Sequence, residues 1–412
     1  MTRPTVPLGI GIYLGVVQFF FALCWTVYLI FFPRLADQVG LPRSWLLPVL
    51  MVDQAIFTIT DFAMGVAADR VANLVGRLGR IVAAITALSC AAFLALPLVA
   101  GAGPDMQPVF LALTAIWIVT SSALRAPPLV LIGKYAARPS IPWLSTLIVL
   151  GIGVAGALAP YLSVQLRNLD PRWPFALSSA ALVLTTLGLV HVERRLAKQA
   201  TPEATTETRP AASSSTWMIM LTAAFILAVS VLAIGFQLHF FVDSAPLFRK
   251  FAEAAKLEFL MPVFWIGFNV ALFPAGWATK RTGGLAVMGV AGVIGAAGIA
   301  GTHLAGNLHV LIACQFIAGA AWGAILMSAV AAALSIGHPG RHEGRVTGLL
   351  FSALALVTLL RIAAVAGGFT ASGAAASTAL QWTPSLSWLA AGAAVLILLV
   401  VIRPNPQKPQ GL

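Results

Sequence analysis

A chain of 412 residues with 59% hydrophobic and only 9% charged side chains, and a mean hydropathy of +0.94, cannot cover itself as a water-soluble globule, which carries about a quarter of its residues charged. The formal net charge of +12 does not point to nucleic acid, because Lys and Arg fall at the ends of apolar segments and form no basic face or arm. Cys24, Cys90 and Cys314 each lie inside an apolar run without CxxC spacing, which excludes a disulfide framework and offers no metal site.

A hydrocarbon core of about 30 Å takes roughly 20 apolar residues in helix. Such runs occur near 9–32, 44–67, 80–102, 108–133, 142–166, 173–192, 216–242, 258–279, 285–304, 308–336, 346–370 and 384–402. The first is about twice the length of a signal-peptide core and has no small-x-small cleavage site, so it is expected to stay as a helix. Pro33, Pro104, Pro139, Pro171 and the Pro339-Gly340 pair punctuate the joints. Trp45, Trp143, Trp173, Trp217, Trp277 and Trp388 stand near run ends, as interfacial aromatics do.

Twelve spans with the N-terminus inside leave about sixteen Lys and Arg on the cytoplasmic side and about seven outside. That asymmetry predicts an integral multi-pass protein of a bacterial inner membrane with both termini cytoplasmic. Arg249, Lys250 and Lys256 form the one outer cluster that runs against it. From Glu193 to Ser215 the apolar pattern gives way to Thr, Ser, Pro, Glu and Ala without periodicity, which reads as a cytoplasmic linker. The expected organisation is an all-α membrane protein with a six-helix bundle over 1–192, a linker over 193–215 and a second six-helix bundle over 216–412. A short repeat supports duplication: Gly65-Val66-Ala67-Ala68-Asp69-Arg70 closes the second run and Gly276-Trp277-Ala278-Thr279-Lys280-Arg281 the eighth. Gly65, Asp69, Arg70, Gly276, Lys280 and Arg281 are therefore the expected conformational motif.

An ionisable side chain at the centre of a membrane helix costs about 2.5 to 3.5 kcal/mol on insertion scales, so each needs a partner or a wet cavity. Asp53 and Asp61 in the second run, Arg125 in the fourth and Arg361 in the eleventh are four such groups. At about 1.5 Å of rise per residue, Asp61 and Arg125 lie about 9 and 12 Å from the cytoplasmic end, and Asp53 and Arg361 about 21 to 23 Å. Asp61 is expected to pair with Arg125, while Asp53, Asp61 or both could approach Arg361 across the seam between bundles; static pairs that only fix packing are the alternative. Gln18, Gln54, Gln237, His239 and Asn269 are candidates for a substrate path, although Gln315 and others like them also join helices to one another. His239 is placed near the outer end of its helix, where water could reach it and its charge could follow pH. The glycine clusters Gly289-Val290-Ala291-Gly292 and Gly319-Ala320-Ala321-Trp322-Gly323 read as close helix contacts. No Walker sequence, HExxH, nucleophile elbow or ligand cluster is legible, so neither an enzyme, a cofactor nor a metal centre is expected.

With these features the chain resembles the major facilitator superfamily over essentially its whole length: twelve helices, a central linker, and a Gly-x-x-x-Asp-Arg signature at Gly65, Asp69 and Arg70, with the basic turn that follows stretched to Arg77 and Arg80. Three places resemble its glycoside-pentoside-hexuronide cation symporters. These are Thr60-Asp61-Phe62-Ala63-Met64-Gly65, with Phe62 for the usual proline; Pro127-Pro128-Leu129; and Glu343-Gly344 followed by Arg361, where lysine is commoner. A second family acid is replaced by Phe57. That resemblance implies a cation-site role for Asp61 with Arg361 beside it. Gly153-Val154-Ala155-Gly156-Ala157-Leu158-Ala159-Pro160 is similar in part to the helix 5 pattern of drug-proton antiporters. The resulting expectation is a monomeric secondary transporter of a small solute, coupled to a cation such as H+. The alternatives are drug or metabolite efflux by proton antiport, and a transporter fold kept for assembly or for lipid or pigment handling.

Overall fold

The computed structural model describes residues 8–72, 78–125, 128–129, 140–199, 215–338, 342–368 and 374–402. Among them, twelve helices are long and apolar enough to cross a membrane. Only helices or closed barrels satisfy every backbone group in hydrocarbon, and these sequences are helical because each run is apolar all round. The N-terminal set is α1 (Leu8–Gln38), α2 (Leu46–Ala72), α3 (Leu78–Ala100), α4 (Gln107–Ser121), α5 (Ile141–Leu166) and α6 (Arg172–Gln199). The C-terminal set is α7 (Ser215–Leu238), α8 (Pro262–Thr282), α9 (Gly284–Leu304), α10 (Leu308–Gly337), α11 (Glu343–Ala366) and α12 (Ala374–Ile402). The chain is thus an all-α, integral multi-pass membrane protein of two six-helix bundles. Large apolar side chains such as Ile59, Leu184, Leu227 and Val401 stay outward-facing, each more than 60% exposed, which only a lipid solvent tolerates at this density.

Several element ends depart from the sequence expectation. Pro33 was expected to stop α1, yet the helix runs on to Gln38. The turns beyond it carry Leu35 and Ala36, both fully buried, and their packing outweighs the lost backbone bond. Of the linker expected over 193–215, the stretch to Gln199 is helical and belongs to α6, and residues 200–214 lie outside the described residues. Glu193 is buried there and its Oε2 accepts from the Gly79 backbone N–H at 2.8 Å, an anchor that hydropathy could not register. Trp388 is fully buried and not interfacial: α12 starts ten residues earlier than its apolar run, and the Trp388 indole N–H donates to the Leu232 carbonyl at 2.6 Å.

Each bundle has an aromatic centre. In the first, Phe93 stacks between Trp117 and Phe175 at 4.8 and 4.2 Å, and Tyr28 meets Trp117 at 4.7 Å. In the second, Phe236 lies on Trp322 at 4.3 Å. Trp117 belongs to α4 and Trp322 to α10, equivalent helices of the two halves. Small residues bring neighbouring helices together: a Cβ on Gly319 would collide with the Phe264 carbonyl, so the expected glycine contact is the one that seats α10 on α8.

Among the described residues the bundles meet chiefly along two helix pairs, α2 with α11 and α5 with α8, and α10 also touches α5. Gly65 of α2 faces the Gly344 carbonyl and Gly348 of α11; Gly276 of α8 faces Thr146 and the Pro142 carbonyl of α5. The two copies of the short repeat therefore occupy equivalent places at the seam. Both lie at the end where α6 finishes and α7 begins, the linker end.

Candidate functional site

The acid and the base that the sequence placed deep in α2 and α4 meet at the centre of the first bundle. Asp61 is fully buried, and its Oδ2 stands 2.7 Å from Arg125 Nη1. Local backbone geometry makes this possible. The helix of α4 tightens at Ser122–Leu124 into a 3₁₀ turn, which ends the regular i to i−4 ladder just before Arg125. Gln18 of α1 meets the exposed carbonyl of Leu124, its Nε2 donating at 2.6 Å, and Ser122 Oγ pairs with Thr60 Oγ1 at 2.6 Å. Two helices thus hold the turn that aims Arg125 at Asp61.

Arg125 has a second face. Its guanidinium lies 4.8 Å from the ring centre of Phe57 and 5.2 Å from that of Phe351, the latter on α11 in the other bundle. Such contacts strengthen when water is excluded. With 18% of its side chain exposed, Arg125 also lines a central cavity of about 270 Å³. Gln18, Phe21, Trp25, Gln54 and Phe57 form the wall from the first bundle, and Leu326, Phe351 and Leu354 the wall from the second. Among the described residues, every polar group on this lining comes from the N-terminal bundle, and Arg125 is its one ionisable side chain.

The other deep charges are placed differently. Asp53 is buried and accepts from the Tyr28 hydroxyl at 2.9 Å, so it turns toward α1 and away from α11. Arg361 donates from Nε to Gln237 Oε1 at 2.8 Å, and its guanidinium covers the Phe241 ring at 4.6 Å. Among the described residues no carboxylate lies within ion-pair distance of Arg361. The approach of Asp53 or Asp61 to Arg361 is therefore not made in this arrangement: Asp61 is turned to Arg125 and Asp53 to Tyr28, while α2 and α11 touch at Gly65, Gly344 and Gly348.

Of the expected path residues, Gln18 and Gln54 reach the cavity. Gln237 instead bridges Arg361 and Thr358, its Nε2 donating to the Thr358 hydroxyl at 3.0 Å. Asn269 donates to the Trp265 carbonyl at 2.8 Å and packs against Gly153 at the α5–α8 contact. His239, expected near water, is fully buried. The chain beyond α7 continues through a π-helical turn at His239–Asp243 and a short helix, Ser244–Arg249, which fold the ring inward.

The signature residues act at the linker end. Asp69 accepts two backbone N–H groups from the first turn of α11, Gly344 at 2.6 Å and Arg345 at 2.8 Å. A carboxylate there satisfies orphan donors and complements the helix dipole. Arg70 is exposed. In the second copy the place of Asp69 is taken by Lys280, which cannot accept, and it is exposed; Arg281 stacks on Trp277 at 3.8 Å. Among the described residues no carboxylate makes the equivalent clamp between α8 and α5.

Two groups escaped sequence reading. Tyr28 is the partner of Asp53, and no spacing connects residues on different helices. His239, Asp243 and His303 converge with their ligand-type atoms within 4.8 Å of one another, against the expectation that no such cluster exists. His239 and Asp243 stand four apart, a usable hint, but His303 comes sixty residues later on α9.

A family model described as Major Facilitator Superfamily matches residues 14–361. By structure the chain is similar to the human organic anion transporter MFSD10 (TETRAN), with 14% identity, TM-score 0.69 and coverage of 93% of this chain and 98% of the other. It is similar to the proton:xylose symporter XylE, with 13% identity, TM-score 0.67 and coverage of 96% and 95%. A bacterial homologue of the iron transporter ferroportin gives 11% identity, TM-score 0.70 and coverage of 95% and 99%. No curated protein matches the sequence at a significant level.

Proposed function

The chain belongs to the Major Facilitator Superfamily and is a transporter, not an enzyme; from that premise we propose that it carries a small organic anion through the central cavity together with a proton, with Asp61 and Arg125 as the coupled pair. The observation that carries this reading is the buried Asp61–Arg125 contact whose cation opens on the cavity. While Asp61 is ionised it neutralises Arg125, and the cavity presents no free charge. Protonation of Asp61 releases the guanidinium, which then holds a carboxylate or similar group with two parallel N–H donors. Proton and anion enter as a net-neutral pair, so neither is left uncompensated in a low-dielectric space.

The walls fit such a solute. Phe21, Trp25, Phe57 and Phe351 offer aromatic faces to an apolar body, and Gln18 and Gln54 offer amides to its polar substituents. A space of about 270 Å³ suits a metabolite-sized molecule. A transported organic anion in one structural neighbour and a proton-coupled sugar in another are compatible with this chemistry. The Asp69 contacts with α11 support reading the present arrangement as the state closed at the linker end, with access from the opposite side; release of that clamp lets the bundles rock about the cavity. With the termini on the cytoplasmic side of a bacterial inner membrane, that opposite side is the outside.

The test is uptake of labelled carboxylates into proteoliposomes. Asp61→Asn is expected to abolish accumulation driven by a pH gradient while keeping gradient-free exchange of the same solute. Undiminished gradient-driven accumulation in that variant would falsify the coupling role. Because a proton is a co-substrate, uptake by the unaltered protein rises as external pH falls, and no such dependence is expected in Asp61→Asn.

A further inference from the structure

We propose that His239, Asp243 and His303 form a binding site for a divalent first-row transition metal of the zinc type, within the C-terminal bundle and separate from the central cavity. His239 Nδ1, Asp243 Oδ2 and His303 Nε2 are buried and have no hydrogen-bond partner. The ligand atoms of the three residues lie within 4.8 Å of one another. Asp243 Oδ2 and His303 Nε2 are 3.8 Å apart, too far for a hydrogen bond between them. Three buried polar atoms clustered without hydrogen-bond partners are what a bound cation would satisfy.

The surrounding hydrogen bonds fix which nitrogen of His239 faces the cluster. Ser244 Oγ donates to the His239 carbonyl at 2.9 Å, so its oxygen is left to accept. Gln315 Nε2 donates to that oxygen at 3.1 Å, which turns Gln315 Oε1 toward His239 Nε2, also at 3.1 Å. An amide oxygen can only accept, so His239 carries its proton on Nε2. Nδ1 is then the nitrogen with the free lone pair, and it is the ring atom left without a partner. A metal-bound imidazole is oriented by such a partner on its far nitrogen.

The backbone supports the arrangement. His239 and Asp243 are the first and last residues of the π-turn, a geometry that recurs at functional sites because it re-aims side chains that a regular helix would space evenly. Two imidazole nitrogens and one carboxylate oxygen suit zinc and its neighbours, and they leave at least one position open. A tetrahedral zinc holds its ligand atoms about 3.4 Å apart, so the cluster closes by side-chain rotations of about 1 Å. None of the three residues lines the central cavity. The metal is thus a ligand of the bundle, tying α9 to the chain beyond α7, and the inference stands apart from the transport reading.

The experiment uses tag-free, full-length protein in detergent, stripped with a chelator and titrated with Co2+. One equivalent is expected to produce visible absorption bands of a low-symmetry site, which one equivalent of Zn2+ bleaches, and Zn2+ is expected to raise the unfolding temperature. Asp243→Asn and His303→Gln should each remove the bands. Gln315→Leu, which touches no metal, should weaken Co2+ binding by about 10- to 100-fold. Asp243 is partly exposed, so its isosteric variant gives a readout even if His303→Gln fails to fold. Absence of saturable bands in the unaltered protein, or bands that persist in Asp243→Asn at unchanged affinity, would overturn the proposal.

Discussion

Asp53 and Asp61 stand eight residues apart on α2, and different chemistry satisfies each of them. Asp53 is met by the neutral Tyr28 hydroxyl inside one bundle. Its expected role is structural: Tyr28→Phe should lower unfolding stability by about 1 to 3 kcal/mol, the cost of orphaning a buried acceptor, and leave the proton dependence of uptake unchanged. Asp53→Asn, which can still accept from Tyr28, should cost less. Asp61 is met by a cation that also faces the cavity and touches Phe351 of the other bundle. Arg125→Gln leaves Asp61 fully buried without its partner and should destabilise by about 3 to 5 kcal/mol, whereas Asp61→Asn leaves Arg125 on the cavity and should cost less. Asp61→Asn combined with Arg125→Gln should recover most of that loss in thermal unfolding while remaining inactive, a pattern that separates a coupled pair from two independent contacts.

At the scale of elements, α2 and α11 are held by shape and by charge together. Gly65, Gly344 and Gly348 leave no room for a Cβ, and Asp69 caps the first turn of α11. Asp69→Ala removes a cap worth about 0.5 to 2 kcal/mol, which corresponds to a shift of up to about 30-fold in the balance of closed and open linker ends. Faster labelling of a thiol introduced at the linker end of α11 should report it. Gly65→Val acts on the same seam by bulk: it should force α2 from α11 and abolish uptake in a protein that still inserts. Lys280 at the equivalent place on α8 predicts that Lys280→Ala changes neither labelling nor rate appreciably, because it is exposed and caps no helix among the described residues.

At the scale of the molecule, the seam is built mainly on the α2–α11 and α5–α8 pairs, related by the duplication, with the cavity between the bundles. If the bundles rock, fixing one pair must stop the cycle. A cysteine pair at Asp69 and Arg345, bridged by a short bifunctional thiol reagent with a cleavable disulfide, is expected to block uptake and to regain it on reduction. Unchanged uptake in the bridged protein would count against rocking about this seam.

The twelve spans, the helical class and the two halves were legible in the sequence because hydrocarbon imposes one solution on any apolar run of sufficient length, and composition reports that directly. The meeting of Asp61 with Arg125 was also within reach, since two opposite charges at similar depth have few other ways to be neutralised. Which acid would face Arg361 was not, because depth leaves rotation about the helix axis undetermined, and the glycine contacts of α2 with α11 settle that rotation. Only the tertiary structure brought Tyr28 to Asp53, buried Trp388, and gathered His239, Asp243 and His303, since each depends on side chains from separate helices packed at atomic distance. Periodicity along one chain carries no record of such distances.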